Sequence, residues 1–199
     1  MNYEILFATN NKHKLEEVRN YLSPYGIIVY GLSDVLLDVK EPDETGSTYR
    51  ENALIKASAY KDATTLPIVS DDSGLEVEAL DGFPGIYSSR FLENSTYEEK
   101  FVALNKMLEG KANRNANFTC ALCILNLEKE PIYIESKVFG ILLEKSQGEK
   151  GFGYDPIFYY DPFGCTLAEV SQEKKGEVSH RGKAIKEFVE LLKKYNEKI

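Results

Sequence analysis

Pro67-Ile-Val-Ser-Asp-Asp-Ser-Gly74 is the stretch on which the reading of this chain turns. A short apolar strand, Pro67 to Val69, runs into two adjacent carboxylates, a serine and a glycine. Open α/β sheets bind their ligands beyond strand ends. An acid pair in such a place can hold a divalent cation or poise a water. It can equally be an Asx-type turn joining two strands. Leu75, Val77 and Ala79 alternate with Glu76, Glu78 and Leu80, which predicts a half-exposed strand leaving that turn.

Working outward, Tyr3 to Thr9 reads as a buried strand, and Leu15, Val18 and Leu22 as one face of a helix. Ile27 to Tyr30 predicts a second strand, and Gly31 to Ser47 a long loop without periodicity. Thr48-Tyr-Arg-Glu51 has the spacing of a capping box, continued by Ala53, Leu54, Ala57 and Tyr60. After the turn Asp81 to Gly85, Ser95-Thr-Tyr-Glu98 opens a helix carrying Phe101, Leu104 and Leu108, stopped by Gly110. Asn117 to Leu127 and Ile132 to Leu143 predict a long β-hairpin. A glycine-containing loop, Gly148 to Gly153, precedes a strand from Pro156 to Tyr160. Ala184, Ile185, Phe188, Leu191, Leu192 and Tyr195 predict an amphipathic C-terminal helix. The α/β beginning and hairpin-rich second half together predict two lobes sharing one sheet, with a cleft between them.

At 199 residues and 43% hydrophobic, the chain is long enough for one sizeable core. It has no apolar run long enough to span a membrane and no signal-like leader, which predicts a soluble, cytoplasmic protein. With 24 basic residues against 32 acidic, net −8, it is poorly suited to bind a nucleic-acid polymer, although local cations still suffice for a small phosphorylated ligand. Cys120 and Cys123 form a C-x-x-C inside an apolar strand-like run, and Cys165 stands apart. These read as buried structural thiols in a reducing compartment.

Four further segments carry candidate chemistry. Ala8-Thr-Asn-Asn-Lys-His-Lys14 joins the first strand to the first helix, where free N–H groups suit an anion and Lys12, His13 and Lys14 add charge. A plain helix cap from Asn10 or Asn11 beside solvated lysines reads as well. Asp43-Glu44-Thr45-Gly46 precedes Asn52 and Lys56, which share a helix face. That lysine can reach a phosphate while Asp43 or Glu44 reaches its magnesium; a solvated acidic loop is the alternative. In Gly151-Phe-Gly-Tyr-Asp-Pro156 the glycines allow close backbone approach, Phe152 can stack on a base and Asp155 can accept from one, or the segment is an ordinary turn. In Lys174-Lys-Gly-Glu-Val-Ser-His-Arg181, Ser179 reads as an N-cap, while cations at His180 and Arg181 oppose the helix dipole unless an anion or a carbonyl offsets them.

In this order, Thr9-Asn-Asn with Lys14, Glu44-Thr-Gly46 with Glu51-Asn52-Ala53 and Lys56, Asp71-Asp-Ser-Gly74, Gly82-Phe-Pro-Gly85 with Ser89-Arg90, Gly151 to Pro156 and Ser179-His-Arg181 resemble the ITP/XTP pyrophosphatase family over nearly the whole chain. The resemblance implies an elongated, two-lobed α/β fold with a central mixed sheet flanked by helices, residues 1–199 forming one domain, assembled as a homodimer. It implies hydrolysis of dITP, ITP and XTP to the monophosphate and pyrophosphate, with Mg²⁺ as cofactor and Mn²⁺ able to replace it. Thr9, Asn10, Asn11, Lys12, His13, Lys14 and Lys56 then fall to the triphosphate. Asp72 takes the metal, with Asp43 or Glu44, and serves as the base. Ser73, Phe152, Gly153, Tyr154, Asp155, Lys175, His180 and Arg181 fall on substrate positions. Two departures stand out: Asn10 replaces a glycine in the opening turn, where asparagine tolerates positive φ, and Asp43 replaces a glutamate. A pyrophosphatase for modified pyrimidine nucleotides and a nucleotide-binding regulator without turnover are the alternatives.

Overall fold

The computed structural model describes residues 3–35 and 42–196. Among the described residues, seven strands form one mixed open sheet in the order β2-β1-β3-β4-β5-β6-β7. They are β1 (Tyr3–Phe7), β2 (Ile27–Gly31), β3 (Ile68–Val77), β4 (Asn115–Leu125), β5 (Ile132–Leu142), β6 (Phe158–Tyr160) and β7 (Cys165–Thr166). The α-helices of the described residues are α1 (Lys12–Leu22), α2 (Leu32–Val35), α3 (Tyr49–Ser58), α4 (Tyr97–Met107), α5 (Gln172–Val178) and α6 (His180–Asn196). β1 runs parallel to both β2 and β3, whereas β6 is antiparallel to β5 and β7. Among the described residues no helix is long and apolar enough to cross a membrane.

The chain divides into two compact units. The first comprises residues 1–72, 120–136 and 180–199. Strand alternation gives its part of the sheet two apolar faces. Ile5, Phe7, Val69, Cys120, Leu122 and Ile124 point to one face, where Val18 and Leu22 of α1 and Ile185, Phe188 and Leu192 of α6 cover them. Leu6, Ala8, Ile68, Cys123 and Leu125 point to the other, against Ala53 and Ala57 of α3. Cys120 and Cys123 therefore lie on opposite faces, both buried, with thiols pushed up to about 12 by burial. They are free, as expected of structural thiols.

The second unit comprises residues 73–119 and 137–179. Leu75, Val77, Phe118, Val138 and Phe158 of the sheet meet Phe101 and Leu104 of α4, and Leu108 at its C-cap, in a single core. The α4 cap is Thr96, one residue later than expected, and its box partner is Glu99.

Three other expectations change. The acidic stretch is not a turn between strands, because β3 is continuous from Ile68 to Val77 and carries Asp71 and Asp72 in its middle. Within the expected loop from Gly31 to Ser47, Leu32–Val35 is helical and 42–47 irregular, while 36–41 lie outside the described residues. Helix α5, capped by Ser171, went unanticipated.

Candidate active site

The continuity of β3 decides the fate of its two acids. Successive side chains on a strand point to opposite faces. Asp71 follows Val69 toward α1 and α6, and Asp72 follows Ile68 and Ser70 toward α3. The Ser70 hydroxyl marks that second side by donating to Ala53 O at 2.6 Å.

On the α1–α6 side Asp71 is fully buried and held by two cations. Lys14 Nζ lies 3.1 Å from its Oδ2, and Arg181 reaches the same oxygen through Nη2 at 3.0 Å and Nε at 3.2 Å. Arg181 also donates from Nη1 to Glu17 at 2.6 Å. The set holds two acids and two bases, so its formal charge balances. Burial works against the Asp71 carboxylate, but Lys14, Arg181 and Lys56 outweigh it and hold its pKa well below the usual range. Arg181 is correspondingly held above its own, because the acids outweigh its desolvation.

On the α3 side Asp72 receives Asn52 Nδ2 at 3.1 Å and Lys56 Nζ at 3.4 Å. Lys56 sits closer to Glu44, at 2.6 Å. Burial, aided by the negative charge of Glu44, raises the Asp72 pKa although Lys56, Lys14 and Asn52 pull it down. Asn52 is oriented from behind, since its Oδ1 accepts from Gly46 N at 2.8 Å. Gly46 can only be glycine there: a Cβ would meet Glu51 Cβ at 2.6 Å and Asn52 Oδ1 at 2.7 Å. The 42–47 segment is tied further by Glu51, which accepts from Ser47 N and Oγ at 2.7 and 2.6 Å.

Thr9 to Lys14 form the entry to α1. Asn11 is the cap, its Oδ1 accepting from His13 N at 3.0 Å and Lys14 N at 3.2 Å, while buried Thr9 accepts from Asn11 N at 3.1 Å. Asn10, Lys12 and His13 are exposed. The non-glycine residues of positive φ, among those described, are Asp81, Leu92, Asn94 and Asn126, so the turn passes Asn10 without one. His180 is buried at the start of α6.

The second unit holds the remaining candidates. Lys175 pairs with Asp155 at 2.6 Å, both buried, and its ammonium stands 4.9 Å over the Phe152 ring. The Phe152 N–H donates to the same carboxylate at 2.9 Å. Gly151 has φ +72, and a Cβ there would strike Asp155 Oδ2 at 2.3 Å, so the turn demands glycine. Tyr154 is buried and donates from its hydroxyl to Ser88 O at 2.9 Å. Ser73 is half-buried, and Gly153 is a second left-handed glycine with φ +66.

The structure thus brings Asp72, Glu44, Lys56 and Asn52 together, and separately Asp71, Lys14, Arg181 and Glu17. Asp43 is exposed and joins neither set. Arg181, expected among the donors to a base, has its guanidinium on Asp71 and Glu17. Glu17 was missed in the sequence, although an acid three residues after Lys14 on the covered side of a helix is its signal.

Among the described residues no three of His, Cys, Asp and Glu converge as metal ligands. Glu44 and Asp72 nevertheless meet at one ammonium. Their paired hard oxygens suit Mg²⁺, which takes one or two carboxylates and completes its shell from substrate phosphate and water.

A family model described as Ham1 family matches residues 5–191. The chain is 42% identical to the dITP/XTP pyrophosphatase of Thermoanaerobacter sp. (strain X514), covering 98% of this chain and 100% of the relative. It is 38% identical to that of Aquifex aeolicus, covering 96% of each. Among solved structures, the Staphylococcus aureus Ham1 protein superposes with a TM-score of 0.84 at 38% identity, over 96% of this chain and 98% of that one. A HAM1 protein from Coxiella burnetii gives 0.86 at 34% identity, over 96% and 99%.

Proposed function

Since the chain belongs to the Ham1 family, we propose that it hydrolyses dITP, ITP and XTP to the nucleoside monophosphate and pyrophosphate, removing deaminated purines from the nucleotide pool. The observation that carries this reading is the environment of Asp72: a buried carboxylate of raised pKa, oriented by Asn52 and facing Lys56. A base for water needs such a group, held still and poised toward proton uptake.

Lys14, at the first turn of α1, and Lys56 supply positive charge for the triphosphate, and the capped N-terminus of α1 adds its dipole. Asp72 accepts the proton of a water that attacks the α-phosphorus in line, and pyrophosphate departs. Glu44 and Asp72 would hold Mg²⁺, or Mn²⁺ in its place, and the ion would neutralise charge on the phosphates. In the second unit, Phe152 offers a stacking face for a base and Lys175 offers N–H donors. Donors suit the 6-keto oxygen of hypoxanthine and xanthine and oppose the amino group of adenine. Residues 1–199 act as one catalytic domain, and the protein works as a cytoplasmic homodimer.

A panel of nucleoside triphosphates with pyrophosphate detection, with and without EDTA, tests this reading. Pyrophosphate should appear from dITP, ITP and XTP well above GTP and ATP, and chelation should stop it. Equal hydrolysis of ATP and ITP, or full activity after exhaustive chelation, would contradict it.

A further inference from the structure

Tyr97 opens α4 and lies against the turn 151–155. A Cβ on Gly153 would stand 3.6 Å from the Tyr97 hydroxyl, and the ring meets that of Tyr154 edge-on with centroids 5.2 Å apart. Lys100, nearly one helical turn on, places its ammonium 5.0 Å over the same ring and donates to Ser89 O at 2.9 Å, so the cation is fixed there. Burial raises the Tyr97 pKa, and the negative charge of Asp155 adds to it. Yet Tyr97 keeps 39% exposure. One part of the phenol backs the turn while another stays open to solvent.

The turn needs such backing. Gly151 and Gly153 both sit at positive φ, +72 and +66. Glycine brings no side chain of its own to pack and retains wide backbone freedom, so a turn built on two of them depends on neighbours for its shape. Asp155 and Lys175 anchor it from within. Tyr97 is the wall beside Gly153. An aromatic ring with a polar tip suits a position that is apolar on one side and wet on the other.

We propose that Tyr97 is a positioning residue for recognition of the base: its phenol holds the Gly151–Asp155 turn in the shape in which Phe152, Asp155 and Lys175 receive a purine. The proposal rests on the base-binding reading of that turn. Tyr97 then governs affinity for the base and leaves the chemistry at phosphorus alone.

The test compares Tyr97→Leu and Tyr97→Phe with the wild type, using steady-state kinetics on dITP and calorimetric binding of IMP and of inorganic pyrophosphate. Tyr97→Leu loses the ring contacts, so KM for dITP and Kd for IMP should rise roughly tenfold. Its kcat should stay within about twofold, the pattern of an interaction equal in ground and transition states. Pyrophosphate affinity should not move. Tyr97→Phe keeps the ring and should stay near wild type. If leucine does not fold, Tyr97→Met puts the same question. Unchanged IMP affinity in the leucine variant would overturn the proposal, as would equal loss of IMP and pyrophosphate affinity, which marks a general defect. A wild type that releases no pyrophosphate from dITP would instead bring down the functional reading itself.

Discussion

Asp71 and Asp72 are neighbours in sequence, equally acidic, on one strand, and they live in opposite worlds. Asp71 faces α1 and α6, where Lys14 and Arg181 clamp it. Asp72 faces α3, where an amide and a more distant ammonium attend it. The first has its pKa driven down and the second has it driven up. The period-2 alternation of a strand is enough to cause this divergence. It teaches that an acid pair in a sequence is not a paired site in space: one carboxylate is clamped by two cations, and its neighbour is held by an amide and a single ammonium.

The largest effect that can break this comparison is on turnover. Asp72→Asn should lower kcat by at least ~10²–10⁴, the worth of a general base, while leaving the melting temperature close to wild type, because Lys56 retains Glu44. A variant keeping a tenth of wild-type kcat would refute the role given to Asp72. Asp71→Asn should do the reverse. It leaves Lys14 and half of Arg181 without their acid, and breaking a buried pair costs roughly 3–5 kcal/mol. That corresponds to a drop in Tm of about 10 °C for a chain of this size. Arg181→Ala, which abandons both Asp71 and Glu17, should lose stability likewise and depress turnover of every nucleotide together. A selective change in the ITP-to-ATP ratio would instead restore Arg181 to the base.

Smaller effects sharpen the comparison. Gly46→Ala drives a Cβ into Glu51 and Asn52, the residue that orients Asp72, and a misplacement near 1 Å can cost ~10²-fold; kcat should fall, and Tm should fall with it. The pH dependence of stability should carry opposite signs from the two acids. Asp71 binds its proton less readily folded than unfolded, so its contribution is full above the ordinary carboxylate pKa and is lost as pH falls toward its depressed folded value. Asp72 binds its proton more readily folded, so the folded state holds the extra proton, and stability declines as pH rises from the ordinary carboxylate pKa through its raised one. Urea midpoints of the metal-free Asp71→Asn and Asp72→Asn variants across acidic pH should separate the two. Asp43→Asn, at an exposed residue outside both clusters, should change kcat least of all.

Much of the fold was legible because its signals are local. Periodicity marks β1, α1, β2, α3 and α6, and the short connection at 126–131 marks the β4–β5 hairpin. The middle of β3 was not legible as strand. Asp-Asp-Ser-Gly has the composition of a turn, and what keeps it extended lies elsewhere in sequence, in the strands β1 and β4 on either side of it. The alternation begun by Ile68 and Val69, carried forward, would have put the two acids on opposite faces. Helix α5 was hidden by its polar composition, and Glu17 by a helix pattern read for apolar residues alone. Candidate residues can be picked by type, whereas which of them the fold brings together depends on which face each strand residue takes.

Carboxyl-carbon NMR of the metal-free protein, with the two aspartates assigned through Asp71→Asn and Asp72→Asn, tests the central claim most directly. Asp72 should titrate above the ordinary aspartate value, and Asp71 should stay ionised down to the lowest pH at which the fold persists. If the two titrate together, or if Asp71 takes up its proton first, their assignment to opposite roles is contradicted.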